Sequence, residues 1–379
     1  MSESLDLTAV NRPIHGGARP DQLRAGIIDF SASINPYAPP PGLRRVLAAA
    51  DVKNYPDPAA GRLTALLASA HNLRPEQVLV GNGASELVFL IARALLSPGS
   101  RVVVVGPAFG EYAYASALAG AEVATYLAPE AAGFSPEPGE LTRLLSRTGP
   151  ALIWAANPAN PTGIYLPSGP FEAILEACGG ILVLDEAFRS FVDGPWPSEP
   201  LLGTGRVILL RSLTKDFGLA GLRLGYLLGP AELVNLVRAH QPPWSVNALA
   251  QAAGEFVLTR PGFMEAGRAR LARRRRELRE ALQRLGLEVS DGAANFLLVR
   301  TGTASACAQF LLEEHRVLVR DCTSFGLPDH IRVAVRRRPE NRRLIAALGE
   351  WVRRRPPALT RARPDAIINR TNVLYQAGG

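Results

Sequence analysis

At 379 residues, 47% apolar and 20% charged, the chain is long enough for roughly two or three packed units and too rich in core-forming residues to be disordered. No apolar stretch reaches the ~20 residues of a membrane helix. The opening MSESLDLTAVNRP lacks the charged-then-apolar pattern of a secretory signal, so a cytoplasmic protein without membrane contact is expected. The net charge of +8 raises the question of nucleic acid, but the basic run Arg273 to Arg276 is interleaved with Glu277 and Glu280 at helical spacing. That pattern reads as a solvated helix face, and no nucleic-acid partner is expected. Cys178, Cys307 and Cys322 stand far apart, with no CxxC or Cys/His cluster, so neither a metal site nor a disulfide framework is expected.

In chain order, an N-terminal arm (residues 1–44) carries Gly16-Gly17 and the Pro-rich stretch Pro36 to Pro41. Strands and helices then alternate. Val78 to Val80 reads as strand, Glu86 to Leu96 as helix, Val102 to Val105 as a buried parallel strand, and Glu111 to Leu118 as helix. Val123 to Tyr126 and Ala151 to Ala155 are strands; Phe171 to Cys178 is a helix ended by Gly179-Gly180. Ile181 to Leu184, Val207 to Leu210 and Leu224 to Leu228 are further strands. The alternation predicts an α/β unit with a mostly parallel sheet over residues 45–245. Beyond it a long helix, Phe263 to Leu285, precedes short strands at Phe296 to Val299, Val317 to Arg320 and Ile331 to Val335. These predict a smaller α+β unit over residues 246–355, followed by a loosely ordered tail, 356–379.

Four segments carry chemistry. Arg211-Ser-Leu-Thr-Lys215 follows an apolar strand and precedes Gly218-Leu-Ala-Gly-Leu-Arg223. The chain uses arginine for nearly every cation, and Lys53 is the only other lysine, so Lys215 with the hydroxyls of Ser212 and Thr214 is an arranged set. Asp185 closes the run Ile181-Leu-Val-Leu-Asp185-Glu186-Ala-Phe188, at the carboxyl end of a strand where such sheets place ligands. Gly81-Asn-Gly83-Ala84-Ser85-Glu86 joins a strand to a helix and offers N–H groups to a phosphate. Asn157-Pro-Ala-Asn-Pro-Thr-Gly163 follows another strand and reads either as an Asx-Pro turn or as a ligand contact.

These segments, in this order, resemble the fold-type-I pyridoxal-phosphate enzymes of the class I/II aminotransferase family, over about residues 15–352. The resemblance implies a seven-stranded, mostly parallel sheet in the large unit and pyridoxal 5'-phosphate as cofactor. It makes Lys215 the Schiff-base lysine and pairs Asp185 with the pyridine nitrogen, which keeps the ring an electron sink. Asn157 would hold the ring oxygen. Gly83, Ala84, Ser85, Ser212, Thr214 and Arg223 would surround the phosphate, and Phe109 would stack on the ring. Tyr55 would reach the phosphate of a neighbouring subunit, which implies a homodimer with shared active sites.

Two branches of the family are similar, histidinol-phosphate aminotransferases and L-threonine O-3-phosphate decarboxylases of cobalamin synthesis. Both take small phosphorylated amines. His15-Gly-Gly17, Ile28-Asp-Phe-Ser-Ala-Ser33-Ile-Asn-Pro36, Gln241-Pro-Pro-Trp244-Ser-Val-Asn247 and Arg316-Val-Leu-Val-Arg320-Asp-Cys322 resemble the decarboxylases more closely. Phe188, where many aminotransferases have tyrosine, resembles them too. By that resemblance His15, Arg320 and Arg332 would hold the substrate phosphate, with Ser33 and Asn157 alongside. Ser33 departs from the asparagine of that branch.

Overall fold

The computed structural model describes residues 12–354; the expected tail and the first eleven residues of the arm lie outside the described residues. Twelve strands are described. The first, β1 (Ile28–Asp29), belongs to the arm. Seven form the central sheet: β2 (Val78–Gly81), β3 (Arg101–Gly106), β4 (Glu122–Leu127), β5 (Leu152–Ala156), β6 (Ile181–Asp185), β7 (Val207–Ser212) and β8 (Gly225–Leu228). Their spatial order is β2-β8-β7-β6-β5-β3-β4. All neighbours are parallel except β8, which runs antiparallel between β2 and β7.

The near-continuous apolar strands follow from a sheet covered on both faces. Leu182 and Leu184 of β6 enter one core, with Val207 and Leu209 of β7. Val183, Ile208 and Leu210 enter the opposite core, beneath helices Gly83–Leu95, Glu111–Leu118 and Ala231–Arg238. The strands deliver their carboxyl ends to one edge, where β5, β6 and β7 stop within a few residues of one another: Ala156 pairs with Asp185, and Asp185 with Leu210.

A second, antiparallel sheet has the order β11-β12-β9, made of β9 (Phe296–Arg300), β11 (Arg320–Asp321) and β12 (His330–Ala334). Between them in sequence, β10 (Val317–Leu318) pairs in parallel with β1 of the arm. The single strand expected over Val317 to Arg320 is therefore two. The chain changes partners at Val319, whose side chain is buried in the core, so an unbroken apolar run in sequence serves two sheets.

Candidate active site

Lys215 lies in the loop between antiparallel neighbours β7 and β8, closed by the Leu213 N–H bond to the Leu224 carbonyl. The arm clamps this loop. The Asn35 backbone N–H donates to the Lys215 carbonyl at 2.8 Å, and the Asn35 amide donates to the Asp216 carbonyl at 2.9 Å. The Lys215 ammonium sees only hydroxyls nearby, Thr214 at 3.3 Å and Ser212 at 3.5 Å, with the Phe188 ring centroid 5.2 Å away. Among the described residues no carboxylate lies within ion-pair distance of it. Burial therefore pushes its pKa down; Asp185 and Asp216 oppose that shift, and Arg223 and Arg332 add to it.

Asp185 is buried. Its Oδ1 accepts the Ala187 N–H at 2.8 Å and its Oδ2 accepts the Tyr112 hydroxyl at 2.6 Å. Burial raises its pKa, and these two donors together with Lys215 work against the rise. The adjacent Glu186 belongs to a different set. It meets Arg211 at 2.8 Å, Arg189 at 3.1 Å and the Ser198 hydroxyl at 2.9 Å, and Arg211 continues to Glu199 and His71.

Helix Gly83–Leu95 starts beside this loop, and its N-cap Asn82 makes no side-chain cap, so the first N–H groups rely on another acceptor. Two glycines permit the approach. A Cβ on Gly83 would lie 2.7 Å from Arg223 Nη2, and one on Gly225 would lie 2.5 Å from the Ala84 nitrogen. Arg223 has φ +61°, a left-handed conformation unfavourable for a branched-off side chain, and its fork bonds only the Ala220 carbonyl at 3.3 Å. The Ser212 and Thr214 hydroxyls bond each other at 2.6 Å. The result is an amine, a carboxylate and a guanidinium, each without an ionic partner among the described residues, around an uncapped helix start.

A second group lies where β11 and β12 meet the arm. Arg320 and Arg332 are direct cross-strand partners, both buried, and among the described residues neither has a carboxylate within ion-pair distance. Arg320 donates to the Ile14 carbonyl at 2.6 Å and the Ser324 hydroxyl at 2.7 Å. Arg332 donates to the Ser31 carbonyl at 2.6 Å and to the Asn160 side chain, and its Nε is buried without a partner. Burial pushes Arg332 down to about 10. Ser33 Oγ is likewise buried and unpartnered. His15 bonds Glu111 at 2.6 Å, with its ring 5.6 Å from that of Phe109.

Two expected residues stand apart. Tyr55 is 81% exposed and stacks on Trp244 at 4.7 Å, outside this chain's own cluster. Asn157 is buried in the cluster, but its amide closes a two-bond ring with the Leu166 backbone, leaving one N–H for a ligand. Tyr112, Glu111, Asn160 and Asp216 escaped the sequence reading as site residues. The first two open the helix expected over Glu111 to Leu118, just after Phe109, and the third lies in the Asn157 motif; Asp216 adjoins the lysine.

Asp216 offers a stability test. Its carboxyl accepts the Phe217 N–H at 3.0 Å, and burial pushes it up to about 7 from the ordinary 3.8. Between those values the unfolded chain is ionised there while the folded chain keeps the proton. Stability therefore falls as pH rises through this window and levels off above it. Asp216→Asn, neutral throughout, should be more stable than wild type at about pH 8, by a few kcal/mol at most, and nearly equal to it at about pH 4. Calorimetry at the two pH values checks this; an equal effect at both would assign the change to packing.

The fold is that of fold-type-I pyridoxal-phosphate enzymes, with the half-buried lysine on the loop after a central strand. The model of the family described as aminotransferase class I and II matches residues 25–348, and the chain belongs to that family. Its cofactor is pyridoxal 5'-phosphate. Among curated relatives, the chain is 37% identical over 335 residues to a histidinol-phosphate aminotransferase of Symbiobacterium thermophilum, covering 86% of this chain and 91% of that one. It is 36% identical over 346 residues to a threonine-phosphate decarboxylase of Salmonella typhimurium, covering 88% and 92%. The crystal structure of L-threonine-O-3-phosphate decarboxylase from Porphyromonas gingivalis superposes with a TM-score of 0.76 at 29% identity, covering 86% and 99%. No helix among the described residues is long and apolar enough to cross a membrane.

Proposed function

We propose that this enzyme decarboxylates L-threonine O-3-phosphate to 1-aminopropan-2-ol phosphate and CO2. The observation that carries the reading is the Arg320–Arg332 pair, buried, side by side and lacking carboxylate partners. Two desolvated guanidinium forks suit a dianionic phosphate ester, and His15 and Ser33 lie on the arm that Arg332 and Arg320 touch. In the first cluster, Lys215 would take the cofactor's aldehyde, Asp185 its ring nitrogen, and Gly83, Ala84, Ser85, Ser212, Thr214 and Arg223 its phosphate. Asn157 and Phe109 would flank the ring. Bound there, pyridoxal phosphate supplies an electron sink for the pair left when a bond at the substrate's α carbon breaks.

The residues decide which bond that is. With both arginines engaged by phosphate, the substrate carboxylate would have no guanidinium clamp and would be free to leave as CO2. Leaving it unpaired avoids stabilising the ground state. Lys215 would then donate a proton to the α carbon in place of the departed CO2. Exposed Tyr55 is proposed to complete the site of a second copy in a homodimer.

A histidinol-phosphate aminotransferase is the competing reading, favoured by the identity to the Symbiobacterium enzyme. Incubation of the holoenzyme with threonine phosphate, without any keto acid, separates them. CO2 and aminopropanol phosphate are expected in catalytic amounts. Turnover only of histidinol phosphate, and only with 2-oxoglutarate present, would make the chain an aminotransferase.

A further inference from the structure

Tyr112 is buried on helix Glu111–Leu118, and its ring lies 5.0 Å from that of Trp154 at 2° from parallel. The Trp154 indole donates to Ser116 Oγ at 3.1 Å, and Ser116 donates back to the Tyr112 carbonyl at 2.7 Å. The phenol is thus held in one orientation, with its hydroxyl 2.6 Å from Asp185 Oδ2. The Ala187 N–H holds the other oxygen. A helix outside the sheet and the backbone after β6 therefore grip the two oxygens of one carboxylate.

A buried tyrosine hydroxyl needs some partner, and a core phenol would satisfy that need with any carbonyl. Here it spends its bond on a carboxylate that burial would otherwise drive toward the protonated form. The other charges acting on Asp185 are Lys215, which favours ionisation, and Glu186, which disfavours it. Tyr112 sits fully buried beside them and stays neutral, since burial and Asp185 raise its own pKa well above the usual phenol value.

We propose that Tyr112 is a positioning residue that keeps Asp185 ionised and fixed in rotation, so that the proton shared between Asp185 and the cofactor's ring nitrogen stays on the nitrogen. The inference rests on the reading that Asp185 faces that nitrogen. Tyr112→Phe keeps the stack on Trp154 and removes the donor. Losing a hydrogen bond to a charged group raises the proton affinity of the carboxylate by about tenfold to a hundredfold, and the proton shifts from ring to carboxylate by that factor.

The test is nuclear magnetic resonance of holoenzyme whose cofactor is isotopically labelled at the ring nitrogen, with cofactor dissociation measured in parallel. Wild type should show a protonated nitrogen. Tyr112→Phe should move the signal toward the neutral pyridine position and release cofactor about tenfold more readily; Asp185→Asn should move the signal fully. If Asp185→Asn shifts the nitrogen and Tyr112→Phe does not, Tyr112 only fills the core and the inference is overturned. If neither shifts it, the reading of Asp185 itself fails. Should Tyr112→Phe not fold, fluorotyrosine placed at position 112 serves instead. A more acidic phenol donates more strongly, so the nitrogen should hold its proton to higher pH than in wild type, and an unchanged titration would overturn the proposal.

Discussion

Lys215→Ala is expected to abolish turnover and the visible absorption of the lysine-bound cofactor together. The amine is half-buried against Thr214, Ser212 and Phe188, among the described residues no carboxylate is held to it as a salt bridge, and loss of solvation lowers its pKa. A lowered pKa raises the share of unprotonated amine, the form that attacks an aldehyde. Removing the central group of a cooperating set lowers kcat by several orders of magnitude. The chain contains only one other lysine, the exposed Lys53, which makes the assignment directly checkable. Borohydride reduction of the holoenzyme followed by peptide mass spectrometry should place the cofactor on Lys215. Label on Lys53, or an active Lys215→Ala enzyme, would overturn the assignment.

Arg332→Ala should depress kcat/KM for phosphorylated substrates by about tenfold to a hundredfold or more, while rates on unphosphorylated threonine, low to begin with, barely change. The magnitude follows from about 1.5–3 kcal/mol for a charge-assisted bond to phosphate. Arg320→Ala should behave the same way, because the two guanidiniums stand on paired residues of neighbouring strands. Arg332→Lys should recover only part of the loss, since an ammonium keeps the charge and loses the fork. The measurement is a ratio between two substrates on one protein, so a general loss of folded enzyme cancels. A variant that loses threonine and threonine phosphate equally would show Arg332 gripping the carboxylate, the arrangement that suits an aminotransferase.

Much of the fold and part of the site were legible because their signals are local. An apolar run ending in Asp185, or a hydroxyl-flanked lysine after a strand, announces itself within ten residues. What escaped depends on which distant element leans where. Tyr112 and Asp185 are 73 residues apart, and no pattern in either segment states that they touch. The pairing of His15 with Glu111 spans 96 residues and is equally silent. Val317 to Arg320 shows the limit from the other side. Its apolar character correctly announces extended, buried chain, but hydrophobicity does not say which edge each half will join. Asp216 was invisible for a further reason: a charged residue in a loop reads as exposed until its burial is seen.

The neighbouring carboxylates Asp185 and Glu186 also constrain how β6 can be threaded. Side chains alternate along a strand, so one acid faces the lysine loop and the next faces Arg211, Arg189 and Ser198. Sliding β6 by a single residue against β5 and β7 would exchange the two. Asp185, one methylene shorter, would confront the guanidiniums, and Glu186 would intrude where the lysine loop sits. Apolar residues on either side could tolerate such a slip, because Leu182, Val183 and Leu184 are nearly interchangeable in size and both faces are core. The acids cannot, since each misplaced charge would be buried without its partner. The Asp-Glu pair thus acts as a registration mark for the central sheet, and a one-residue deletion within β6 should be far more damaging than any conservative apolar exchange along it.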